Sequence, residues 1–587
     1  MKSRCVPFLL AALLCLLSFS GVYAIGADDD YFDIKAPSTF LYTNKLVYVP
    51  GETMMLNYNA NGSLNGFPFD IQFNSFFFYL ENLETGQKLY QPDNTTTVSD
   101  IFAYDANPGS NTYFEYIVPT DNYQWFGPSG IYGPSWPVPS QPGSYRWVME
   151  LRDRYGLYVS SVGYAPFTVV SSIQSLDSNI TTDTTLTNDK AYILSALIHV
   201  LNNATLTIEP GTILMGDGVE SGVVITQGAK IHAVGTARRP IVFTSVNDVG
   251  ERLPGDWFGI AIAGYAPINV VNGGGGTAVV EGIDDVVYGG NDPDDNSGIM
   301  RYVRIEFAGY KFTPTKEANG LYLCGVGRGT VLEYLHFNQN SDDNIEFFGG
   351  TAQVKYIYCT GGNDDQFDWT EGFQGKAQFV IVQVYKNSGG NRGIEADNYE
   401  YGFDNTPRSK PTIYNMTIIG PQQNYGDGEG KADHGIRFRR GTAGQLFNFI
   451  IIGYGQDAIR MDEDVSTPAQ ANSGELDFNN AILFNNGVFG ADGKGCYNNT
   501  TTANWMATKD KVFCTNPGDD VVMNPRLVDP YNEITPDYRP GYMSPALRID
   551  IVKQPPDDGF FEPVHFIGGM SPNYNWLAGG WTYVTPW

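Results

Sequence analysis

Two patterns of apolar and polar positions follow one another along the chain, and neither has a helical period. From about Tyr31 to Val170, runs such as "KLVYVPGETMMLNYNA", "FNSFFFYLEN" and "YRWVMELRDRYGLYVSSVGYAPFTVV" alternate apolar and polar residues and break at Pro, Gly and Asn turns. A period of two with regular turns predicts an antiparallel, immunoglobulin-like β-sandwich over residues 25–172. Within it, residues 122–147 ("NYQWFGPSGIYGPSWPVPSQPGSYRW") are dense in Trp, Tyr, Pro and Gly. They read as a long loop folded over the sandwich, or else as a stacking surface for sugars or another subunit.

The polar stretch "SSIQSLDSNITTDTT" reads as a linker over 173–185, and beyond it the pattern changes. Short β-branched strands separated by Gly, Asn or Pro turns appear in "ATLTIEPGTILMGDG" and "SGVVITQGAKIHAVGTARRPIVFTS". One type of strand then returns at positions 300, 331, 353, 377, 411, 444 and 476, with spacings of 22, 24, 34, 33 and 32 from 331 onward. A near-constant period with inserted loops predicts a parallel β-helix over 186–545, closed by an aromatic C-terminal cap over 546–587. A single coil cannot bury its own apolar face, so the coils must stack.

Each of these strands is followed by a second: "DNIEFFGGTA", "DQFDWTEGFQG", "RGIEADNYE", "HGIRFRRGTA" and "DAIRMDED". Aligned on the first apolar residue, Ile345, Phe367, Ile394, Ile436 and Ile459 form a column that faces inward in a parallel stack. The next column faces outward and reads Glu346, Asp368, Glu395, Arg437, Arg460. Two flanking columns read Asp343, Asp365, Arg392, His434, Asp457 and Phe348, Thr370, Asp397, Arg439, Asp462. The expectation is a charged ladder on the outside of the helix, with Glu395 beside Arg437 and Asp397 beside Arg439.

Composition adds the compartment. Lys2 and Arg4, an apolar run from Val6 to Phe19 and Val22-Tyr23-Ala24 form a secretory signal pattern over residues 1–24, so a secreted protein is expected. Loss of Lys2 and Arg4 leaves 34 basic against 64 acidic residues, a formal charge of −30. That charge argues against nucleic acid as a partner, and no later run is long and apolar enough for a membrane span. The four remaining cysteines, Cys324, Cys359, Cys496 and Cys514, suggest two disulfides in an exported chain, with Cys496–Cys514 closing a polar loop. Glycosylation sequons begin at Asn61, Asn94, Asn179, Asn203, Asn415, Asn498 and Asn499.

From about Leu186 onward, "LTIEPGTILMG", "GAKIHAVGTARRPIVFTS", "GDWFGIAIAGYAPIN", "YGGNDPDDNSGIMRYVRIEFAGY" and "SDDNIEFFGGTA" resemble a group of uncharacterised secreted or surface-attached parallel β-helix proteins. The resemblance extends to the terminal "DGFFEPVHFIGG…NWLAGGWT". It implies a right-handed parallel β-helix of the pectate-lyase-like kind and brings no established activity. This chain departs from the group in Cys324 and Cys359, where small or apolar residues are expected, and in its N-terminal sandwich.

Parallel β-helices include pectate lyases and polygalacturonases, so a polysaccharide lyase or glycoside hydrolase is the alternative to a structural role. Its candidate residues are Asp343, Asp365 and Asp368, with Asp342 and Asp364 beside them and His434, Arg437 and Arg460 further along the stack. "DHG" and "IRM" resemble polygalacturonase Gly-His-Gly and Arg-Ile-Lys motifs, but the glycine before His434 is absent and Met461 replaces the lysine. Against catalysis, alternating charge on successive rungs is how a structural salt-bridge ladder is built, and cation binding by the acidic ladder is the third reading. For cations, Asp292, Asp294 and Asn296 in "GGNDPDDNSG" offer hard oxygen ligands suited to Ca²⁺, or else simple turn caps. The sequence thus predicts an all-β extracellular structural or interaction protein: a surface coat, adhesin or fibre subunit. Its partners would be copies of itself through strand edges or the N-terminal segment, other extracellular proteins, or polysaccharide.

Overall fold

The computed structural model describes residues 38–61, 73–89, 103–104, 116–117, 132–153, 159–313, 316–422, 434–487, 495–497, 499–515 and 523–583. The signal segment, the sequons at Asn94 and Asn498 and the first ten residues of the aromatic 122–147 stretch lie outside the described residues. The chain divides into two compact units at Ser171/Ser172.

Among the described residues the first unit holds two small sheets, besides a short antiparallel pairing of Ala103–Tyr104 with Tyr116–Ile117. Ser38–Thr43, Thr53–Asn61 and Tyr132–Pro137 form an antiparallel three-stranded sheet. Val47–Tyr48, Val159–Val169, Gly143–Asp153, Phe73–Asn82 and Lys88–Leu89 form the other, antiparallel except where Val47–Tyr48 runs parallel to Val159–Val169. The alternating pattern places Tyr48, Met54, Leu80, Trp147 and Phe167 in its core, each 1% exposed or less. Trp147 donates its indole N–H to the Met54 sulfur at 3.1 Å.

The second unit is a parallel β-helix. Its long sheet runs from Ser172–Leu176 to Val512–Thr515, and a second sheet stacks nine strands from Leu197–Val200 to Asp457–Met461. The stretch expected as a linker is the first rung: Ser172–Leu176 pairs in parallel with Lys190–Leu194, and Ile180 bridges to Val200. It reads as polar because this end rung is exposed over most of Ser172–Leu176.

From Gly298 onward, two strands of each rung merge into one long strand, kinked at a left-handed residue. Tyr302, Tyr334, Tyr356, Phe379, Asn415, Asn448 and Asn480 occupy this column, with φ between 52 and 64°. The strain of a side chain in that region, on the order of 1 kcal/mol, is offset by what each group makes outward. The tyrosines stack at 4.4 Å. The asparagine amides donate to the carbonyls of Phe566, Lys553 and Ile551 at 2.8–3.0 Å.

Those carbonyls belong to the C-terminal segment, which is not the expected end cap. It runs back along the outer face of the long sheet as a strap, from Ile551 against Asn480 to Trp581 against Tyr302 and Tyr334. The cap of the C-terminal end is instead residues 495–515. Tyr497 bridges to Ile459 at the last rung, and the short helix Thr500–Met506, N-capped by Asn499, buries Trp505 and Met506 against the core. The disulfide Cys496–Cys514 closes this piece. The second expected disulfide is absent, because Cys324 and Cys359 lie on opposite faces of the coil wall: Cys359 in the interior core, Cys324 in an outer cluster. Two sequon asparagines are also engaged in the fold: the Asn415 amide is buried on Phe566, and the Asn499 amide donates to the Met461 carbonyl. Asn179 and Asn203 are exposed.

Candidate functional site

The nine-stranded sheet keeps the register read from the sequence. Ile394, Ile436 and Ile459 pair in one inward column with Phe367, while Glu346, Asp368, Glu395, Arg437 and Arg460 pair in the outward one. Toward the N-terminus the outward column continues as Tyr322, Ala261 and Val224. Those apolar positions are covered by Ile268, Val280, Ile283, Val286 and Tyr288 from the segment between strands. The outer face therefore changes along the stack from apolar and covered, to acidic, to basic.

The ladder lies on the outside of the coil, yet it is not exposed. Asp343, Asp365, Asp368 and His434 are 6, 2, 8 and 2% exposed. The acidic rungs converge: one oxygen from each of Asp343, Glu346 and Asp368 lies within 4.8 Å of the others. The same holds for Asp365, Asp368 and Glu395, for Asp343, Asp364 and Asp365, and for Glu317, Asp342 and Asp364. Burial, reinforced by neighbouring carboxylates, raises the pKa values of Asp343, Glu346 and Asp368 well above the usual carboxylate range. Burial also pushes Asp365 up to about 6 and Glu395 up to about 7, against the opposing pull of Arg392.

The basic rungs are all engaged. Arg392 donates to Asp365 at 3.0 Å and also contacts Glu395. Arg439 makes a two-pronged pair with Asp397 at 2.7 and 3.0 Å and touches Glu395, and Arg440 adds a third bond to Asp397 at 2.7 Å. Arg437 does not pair with Glu395, as column neighbours would suggest. It reaches forward to Asp462 at 3.0 and 2.9 Å, because Arg439 already fills the space beside Glu395. His434 Nδ1 sits 2.9 Å from Asp457. The fold thus brings Asp343, Asp365 and Asp368 together and leaves His434 and Arg437 in pairs of their own. Column alignment singles out neither Asn319 nor Glu371. Asn319 accepts from the Asp343 N–H at 3.2 Å and donates to Glu346 at 2.5 Å, and it lies outside the repeated strands.

Glu371 accepts a 2.6 Å hydrogen bond from Tyr288, and burial raises its pKa to about 7. In the unfolded chain the group titrates at its ordinary value of 4.5, so between pH 4.5 and 7 the folded state holds the proton that the unfolded state has lost. Its contribution to stability therefore falls as pH rises through that window. Because Glu371 keeps partial solvent contact, the expected fall is about 1 kcal/mol relative to Glu371→Gln, read from urea denaturation of both at pH 5 and 7.5. Parallel pH profiles for the two proteins would exclude it.

The expected calcium turn is a set of side-chain caps. Asp292 accepts from the Asp294 N–H at 3.0 Å, Asn296 from the Gly298 N–H at 2.8 Å, and Asp294 pairs with Arg328 at 2.6 Å.

The family described as a pectate-lyase like β-helix domain matches residues 178–518, more than half of the chain. A family 28 exopolygalacturonase from Yersinia enterocolitica is similar at 11% identity, covering 81% of this chain and 92% of its own, with a TM-score of 0.18. No curated protein matches by sequence.

Proposed function

The chain belongs to the pectate-lyase-like β-helix family, and from the burial of its charged face we propose that it is a secreted structural or interaction protein rather than a catalyst. The observation that carries this reading is the enclosure of the central candidates, although Asp342, Asp364, Arg437 and Arg460 beside them keep partial solvent contact. A polysaccharide must touch its acid and base, and Asp343, Asp365, Asp368 and His434 are each at least nine-tenths buried. Arg392 and Arg439, each bound to two carboxylates, are held as ladder rungs and are not free to meet a substrate. The same features support an assembly route. The disulfide-closed cap occupies the last rung of the nine-stranded sheet at its C-terminal end, which favours association through the long sheet, the first rung or the N-terminal segment.

A carbohydrate-active role has one observation in its favour: closely spaced carboxyls with raised pKa values are the raw material of acid–base catalysis. Both readings meet in one experiment. The purified protein is imaged by electron microscopy and incubated with a panel of neutral and acidic polysaccharides, alongside Asp365→Asn. Ordered assemblies without cleavage support the structural reading; turnover that disappears in Asp365→Asn overturns it.

A further inference from the structure

We propose that Asp343, Glu346 and Asp368 bind a single divalent cation, Ca²⁺ by preference, inside the charged face. Such a site is compatible with a structural protein and with an enzyme alike. Three observations point to it. The first is convergence: one oxygen from each residue lies within 4.8 Å of the other two. The second is an orphan: Asp368 Oδ1 is buried and has no hydrogen-bond partner, although the residue is only 8% exposed. A buried carboxylate oxygen without a donor is costly, and most such groups in folded proteins find a donor or an ion.

The third is the local charge balance. Arg392 is committed to Asp365 and Glu395, and Arg439 to Asp397 and Glu395. The donors at Asp343 and Glu346 are neutral: Asp343 accepts from the Asp365 backbone N–H at 2.8 Å, and Glu346 from the Asn319 amide at 2.5 Å. Glu281 and Asp342 add further negative charge nearby. The rung of Glu395 is thus balanced by arginine. On the acidic rungs before it, Arg439 offsets Asp368 only in part, and the strongest charges acting on Asp343 and Glu346 are negative.

The donor set identifies the class of ion. All three ligands are carboxylate oxygens, with no imidazole or thiolate among them, which suits a hard cation and disfavours zinc or copper. Asp343 comes from the turn before its strand, while Glu346 and Asp368 sit side by side on adjacent rungs. A cation here would tie a turn to two successive coils, and binding only to the folded state would stabilise it.

The test uses the full chain stripped with EDTA. Calorimetric titration with CaCl₂ is expected to show one saturable site, accompanied by a rise in melting temperature. Asp368→Asn and Glu346→Gln are each expected to lose both effects, whereas Asp292→Asn keeps them. In EDTA, Asp368→Asn is expected to melt at or above the stripped native protein, since it removes a buried carboxyl that Arg439 offsets only in part. MgCl₂ in place of CaCl₂ should give the weaker response, because Mg²⁺ demands stricter octahedral geometry. No binding by the stripped native protein overturns the proposal. So does undiminished binding by both ligand variants, or an Asp368→Asn protein that melts lower than native in EDTA.

Discussion

Arg439→Ala is expected to destabilise the β-helix by about 3–5 kcal/mol, while Arg437→Ala, two residues earlier on the strand that Arg439 follows, is expected to cost about 1 kcal/mol or less. The difference lies in what each removal leaves behind. Arg439 holds Asp397 and Glu395, whose side chains are 4 and 7% exposed. Without it those carboxylates remain enclosed with less compensation, and Arg440 and Arg392 replace only part of its charge. Arg437 and Asp462 are 23 and 22% exposed, so water can take over when the pair is broken. Arg439→Lys should fall between the two, because a point charge cannot reproduce the two-pronged contact with Asp397. Urea denaturation of the three variants is the measurement. Equal losses at positions 437 and 439 would mean that enclosure does not govern the ladder's energetics.

The same contrast separates what the sequence carries from what only folding adds. In a parallel stack, residues at equivalent positions lie directly above one another. The column from Ile345 to Ile459 and the charged column beside it are therefore legible in the sequence alone. Solvent contact is not, because it depends on residues far away in the chain. Tyr288 comes from an insertion after the strand Trp257–Ala263 and reaches Glu371, while Asn319 precedes the strand carrying Tyr322 and reaches Asp343 and Glu346. Partner choice is equally hidden. A column predicts the neighbour one rung away, yet Arg437 pairs with Asp462, two positions out of column. The first rung reads as a linker because end rungs carry polar faces, the same residues a true linker would use. The strap reads as a cap because nothing in an aromatic, non-repeating tail says which surface it covers. The asparagine column that holds it is visible only once φ is known.

The strap supplies the second large effect. Trp581→Ala is expected to destabilise the protein by about 3 kcal/mol, at the lower end of the usual cost of removing a buried Trp. Trp581 is fully buried. It stands edge-on to Tyr302, Tyr334 and His336 at 5.7, 6.0 and 6.5 Å, stacks on Trp576 at 6.2 Å and donates to the Trp576 carbonyl at 2.9 Å. The lower end is expected because the surface beneath is not purely apolar. Arg304 and His336 are buried there, and lifting the strap rehydrates them, which offsets part of the lost packing. His336 also gives the effect a direction with pH. Burial lowers its pKa well below 6.5, so the folded state resists a proton that the unfolded chain accepts, and stability falls as pH drops below 6.5. Opening the strap by Trp581→Ala should therefore flatten the acid side of the stability profile as well as lower its plateau. Tyr574→Ala, which removes a ring 56% exposed on the same segment, should do neither. Limited proteolysis with mass mapping reads the same event directly: cleavage within 546–583 should accelerate in Trp581→Ala while the coils stay resistant. If cleavage instead appears throughout the coils with no early loss of the C-terminal segment, the strap and the β-helix unfold as one unit, and a separable strap is excluded.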